Sequence, residues 1–155
     1  MGTDIHAYAE TRTNSTWTYT GDHAFPNNEY PKGRHCPFDC VRSYGLFGFL
    51  ADVRNYSEAP VIADPRGLPA DVSPELQVKS DHWDTDGHTH TWLTLAELLA
   101  FDYDQTFTDQ WNDGAGTPQV TTVREFLGDW YFTRLDLLGK LGAPEDVRIV
   151  FWFDN

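Results

Sequence analysis

The feature that most constrains this fold is the run DVRIVFWFDN at residues 146–155. It is dense in β-branched and aromatic residues and lacks the alternation of a half-exposed strand. Such a run reads as a central strand covered on both faces. The opposite end of the chain alternates, with Ile5, Ala7 and Ala9 on one face and His6, Tyr8 and Glu10 on the other. The two segments are expected to pair, bringing both ends of the chain into one sheet. Trp17 and Tyr19 suggest a hairpin partner for the first strand.

Helical signals fill much of the remainder. Residues 42–54 (RSYGLFGFLADVR) place Tyr44, Phe47, Leu50 and Arg54 near one stripe. Ser73-Pro74 reads as an N-cap followed by proline in the first helical position, opening a short helix. Thr94 and Glu97 match a capping box ahead of Leu95, Leu98 and Leu99. Residues 119–141 carry a further helical region, which Gly128 could divide, ended by Gly142 and Pro144. Residues 21–41, 55–73 and 102–118 read as loops. Together these elements predict a single α+β domain over residues 1–155, with helices packed on a small, mainly antiparallel sheet.

Charge limits the partners. Asp and Glu total 24 against 11 Lys and Arg, a net charge of −13. This surface repels nucleic-acid polymers and anionic membranes at long range. Mimicry of DNA would call for regularly spaced carboxylates, whereas these acids are scattered. No apolar run approaches the roughly 20 residues that span a bilayer, and MGTDIHAYAE lacks the features of a signal peptide. The expectation is therefore a cytoplasmic protein with no membrane partner.

The run DGHTHTW at residues 86–92 bears most on chemistry. If extended, it directs Asp86, His88, His90 and Trp92 to one face. The amino terminus repeats the theme in Asp4 and His6. If the segments meet, His6, His88 and His90 are candidate ligands for zinc, manganese or nickel. Asp4 and Asp86 would assist a metal-bound water. The alternative is a polar strand face with structural histidines. A second constellation, Arg54 and Arg66 with Tyr44, Asn55 and Trp92, offers guanidinium forks for phosphate and rings for base stacking. Its alternative is pairing of the arginines with the abundant aspartates. Arg42 belongs to the same arginine group. Cys36 and Cys40, beside His35, lack the second ligand pair of a zinc motif and read as ordinary thiols.

The segments MGTDIH, RSYGLFGFLADVRN, PRGLPADVS, DGHTHTWLTLAELL and VRIVFWFDN together resemble a family of small uncharacterised proteins of bacteriophages and prophages. Residues 20–41, with both cysteines, fall outside that pattern. The resemblance implies an accessory protein in the host cytoplasm that acts on host machinery or defences, and so favours a small anionic nucleotide as ligand. Three readings follow: a metal-dependent phosphodiesterase, a nucleotide sponge that captures without cleaving, or an acidic protein that inhibits a host enzyme. A homo-oligomer with a site shared between subunits is compatible with each.

Overall fold

The computed structural model describes residues 2–25 and 34–155. The expected loop at residues 21–41 thus falls partly outside the described residues. Four strands form the main sheet: β1 (Asp4–Thr13), β2 (Thr16–Tyr19), β3 (His88–Thr94) and β6 (Val147–Asp154). Their order is β2-β1-β6-β3, and all three pairings are antiparallel. Strand β6 is buried from Val147 to Phe153 and pairs with β1 from Asp4↔Asp154 to Thr11↔Val147. The fold is α+β, with the first and last strands at the centre of the sheet.

Both faces of the sheet are covered. On one, Ile5, Ala7, Ile149, Phe151 and Phe153 meet α1 (Tyr44–Ala51), α3 (Leu95–Ala100), α4 (Val123–Leu127) and α5 (Asp129–Gly139). On the other, Tyr8, Val150 and Trp152 pack against Leu76 of α2 (Pro74–Trp83). That second face also buries charge. Arg148 is 2% exposed and Glu10 fully buried, and the guanidinium donates to Glu10 Oε1 at 2.7 Å. It also reaches Asp71 at 2.9 Å and lies 4.1 Å from the centre of the Trp17 ring. Glu10 Oε2 accepts from the Ser73 amide at 2.8 Å. Each buried charge thus has a partner, as burial demands.

Two stretches depart from expectation, while the division at Gly128 is as read from the sequence. The helix predicted over residues 42–54 ends at Ala51, because Asp52 (φ 60°) and Arg54 (φ 51°) adopt left-handed backbone. Arg54 therefore stands in a turn and not on the helical stripe. Residues 102–118 contain a strand, β4 (Thr106–Asp109), which pairs with β5 (Gln119–Thr122) at the start of the region read as helix. The β-branched residues of TFTD and QVTT favour that hairpin over a helix start. Gly128, at φ 80°, separates α4 from α5. The capping box forms, with Thr94 Oγ1 accepting from the Glu97 amide and Glu97 Oε1 accepting from the Thr94 amide.

Candidate functional site

Antiparallel pairing sets the location. Strand β1 starts, β6 ends and β3 starts at one end of the sheet, with Asp4 opposite Asp154 and His88 opposite Phe153. Asp4, His6, His88 and His90, distant in the chain, therefore gather there. The first turn of α1 joins them, with the Tyr44 hydroxyl accepting from the Thr3 amide at 3.3 Å.

The histidines do not share one face. A bulge lies between His88 and Thr91, with Thr89 at φ 55°. The extra residue breaks the alternation of β3. His88 stacks on Phe153 and His90 on Trp152, neighbours in β6 whose side chains point to opposite faces. The expectation that Asp86, His88, His90 and Trp92 line one face is thereby corrected. Asp86 precedes the strand, in a single 3₁₀ turn at residues 84–86.

The nitrogens are also engaged elsewhere. His6 Nε2 lies 2.8 Å from Asp154 Oδ2, and its ring packs 4.0 Å from Trp83. His88 Nδ1 lies 2.9 Å from Thr89 Oγ1, while its Nε2 is buried with no hydrogen-bond partner among the described residues. Burial, together with the nearby His88, holds the His90 pKa below its ordinary value. Among the described residues, no three His, Cys, Asp or Glu side chains form a group able to hold a metal ion. His6, His88 and His90, the residues considered for zinc, manganese or nickel, thus share one end of the sheet but form no common ligand set.

The carboxylates proposed for catalysis sit differently. Asp4 receives a two-pronged bond from Arg42, at 2.9 and 2.7 Å. That bond raises the Arg42 pKa. The carboxylate beside the His6 imidazole is that of Asp154, which sequence reasoning did not select. The pairing of the chain ends was its only sequence signal.

The cationic and aromatic constellation divides in two. Arg54 donates to Thr3 Oγ1 and to the Tyr56 hydroxyl, each at 3.0 Å, and lies 6.0 Å from the centre of the Tyr44 ring. Asn55 is a brace within the same turn: its amide donates to Asp52 and to the Ala59 carbonyl, and its Oδ1 accepts from the Ala59 amide. Arg66 is elsewhere. It forms a two-pronged pair with Glu97, donates to the Trp92 carbonyl and covers the Trp92 ring at 4.7 Å. Arg66 and Trp92 therefore bind the segment before α2 to the edge of β3. Tyr44 and Arg54 remain together at the sheet end.

Beside Tyr44 opens a cleft of about 590 Å³, lined by Arg42 and by the rings of Tyr44, Trp111 and Phe126. The Tyr56 ring, outside the lining, stands 6.0 Å from that of Tyr44 and 5.5 Å from that of Trp111, and Trp111 is 50% exposed. Gly45 lines the cleft because a Cβ there would stand 2.8 Å from the Phe126 ring. Trp111 was legible only as a tryptophan within a polar loop. Ser57 and Asp109, also in the lining, carried no sequence signal.

Among the described residues, no helix is long and apolar enough to cross a membrane. No protein family, curated protein or solved structure matches the chain.

Proposed function

We propose that this chain captures a small nucleotide in the cleft beside the joined ends of β1 and β6, without cleaving it. The reading fits an accessory protein of the phage type that its motifs resemble. One observation carries it: the cleft is lined by a guanidinium, Arg42, together with the rings of Tyr44 and Trp111, and Arg54 and Tyr56 adjoin Tyr44 outside the lining. Flat rings accept a stacked base whatever its identity. Arg42 already presents its guanidinium fork to a carboxylate. A phosphate offers the same two-pronged geometry with more charge and would take the place of Asp4.

Capture is favoured over hydrolysis by the histidine geometry. Metal-assisted hydrolysis needs ligands that converge on one ion and leave a position for water. Here His6 is held by Asp154, and β3 turns His88 and His90 toward different residues of β6.

The test is incubation of the full chain with a panel of mononucleotides and cyclic dinucleotides, followed by denaturation and analysis of the released material. Recovery of intact nucleotide is expected, unchanged by prior treatment with a chelator. Recovery of fragments would return the reading to a phosphodiesterase. Arg42→Ala should weaken binding by roughly tenfold through loss of a charged hydrogen-bonding pair. Its thermal midpoint should stay unchanged, since the guanidinium is exposed.

A further inference from the structure

Resting on that capture reading, we infer that the cleft selects a base with two adjacent N–H donors, a guanine edge, through Asp109 and Ser57. Both residues line the cleft and both are more than nine-tenths buried, at 8% and 6% exposure. Asp109 Oδ1 accepts from the amides of Trp111 and Asn112, at 3.0 and 2.9 Å. These bonds fix the carboxylate and account for one oxygen. Its Oδ2 and the Ser57 hydroxyl have no hydrogen-bond partner among the described residues. Neither is among the polar atoms sealed from solvent without a partner. Both atoms therefore touch the solvent of the cleft, where water or a ligand completes them.

The groups around them set the polarity. Asp109, Asp113 and Glu125 line the cleft, against Arg42 as its charged donor. An ionised carboxylate only accepts, and a serine hydroxyl can accept as well. The cleft therefore matches a ligand edge made of donors. Guanine offers two neighbouring donors, the ring N1–H and the exocyclic amine. Adenine and cytosine offer one amine beside a bare ring nitrogen, which a carboxylate repels. Uracil flanks its single N–H with two carbonyl oxygens. Trp111, whose amide bonds Asp109 Oδ1, places a stacking ring next to this reading edge. The phosphate would then lie toward Arg42.

The experiment is isothermal titration calorimetry of the full chain with GMP, IMP, AMP and UMP. GMP should bind at least roughly tenfold more tightly than AMP or UMP, the discrimination expected of a two-donor contact. IMP, which keeps N1–H but lacks the amine, should fall between them. Asp109→Asn keeps an oxygen for the two backbone amides but puts a donor in place of Oδ2, so the preference for GMP should vanish. Ser57→Ala gives a second variant that leaves the two amide bonds to Asp109 intact, and it should narrow the gap between GMP and IMP. Equal binding of all four nucleotides, or a preference unchanged in both variants, would overturn this inference and leave capture standing. Failure of every nucleotide to bind would overturn both.

Discussion

His6 Nε2 stands 2.8 Å from Asp154 Oδ2, joining the start of the first strand to the end of the last. An ionised carboxylate can only accept, so Nε2 is the donor in this contact. The Trp83 ring covers the imidazole at 4.0 Å. Asp154 Oδ1 also accepts from the Asp4 amide, which makes one carboxylate the tie between two strand ends.

His6→Ala removes one partner of this tie and opens a gap beneath Trp83. The loss should be about 1–3 kcal/mol, the range for a part-buried hydrogen-bonding group left unpaired. Urea denaturation measures it. A variant as stable as the parent would mean that the contact contributes nothing net.

The buried pair Arg148–Glu10 makes a sharper prediction. Glu10→Ala leaves a guanidinium 2% exposed with Asp71 as its remaining carboxylate, and also strips the Ser73 amide of its acceptor. Breaking a buried pair from one side costs about 3–5 kcal/mol. The combined Glu10→Leu, Arg148→Met protein should recover much of that stability, because both desolvated charges are then gone. Chemical denaturation of the three proteins decides the matter.

Stability should also depend on pH through His90. Burial first, and the neighbouring His88 second, lower its pKa in the folded chain from the ordinary 6.5. The unfolded chain then binds the proton more tightly than the folded one, so stability rises with pH across this window. The contribution is fully present above about 6.5 and is lost as pH falls through the folded value. His90→Phe, which keeps a ring over Trp152, should flatten the decline between pH 7 and pH 5.5 in thermal melts. An unchanged slope would assign the decline to other groups.

The turn that carries Arg54 and Tyr56 rests on the contact of Gly48 with Asn55. A Cβ on Gly48 would fall 2.5 Å from Asn55 Oδ1, the oxygen that accepts the Ala59 amide. Gly48→Ala should therefore displace Asn55 and cost about 1–3 kcal/mol despite the better helix propensity of alanine. Nucleotide affinity should fall with it, since Arg54 and Tyr56 lose their support. Melting and calorimetry on the same sample test both effects.

What the sequence determined follows from local rules. The apolar run at residues 147–153 could be satisfied only inside a sheet covered on both faces, and β6 occupies that position. Proline at position 74 and the Thr94/Glu97 pair act within one helical turn, so their helix starts were readable without knowledge of the fold. Pairing of the chain termini was readable and sets Asp4 and His6 beside the end of β6, whereas the arrival of His88 and His90 depended on the β3–β6 pairing. Tertiary structure decided the rest. The bulge at Thr89 shows no signal in an alternating run, because it arises from fitting β3 against β6, and it parted the two histidines. Which arginines remain beside an aromatic wall depended on partners far away in sequence: Glu97 holds Arg66, whereas Thr3 and Tyr56 hold Arg54. The cleft itself joins residues 42–45, 57, 109–113 and 119–126, segments that meet only through packing. Side-chain identity sets the chemistry available to this chain, and long-range contact selects which of it reaches a common space.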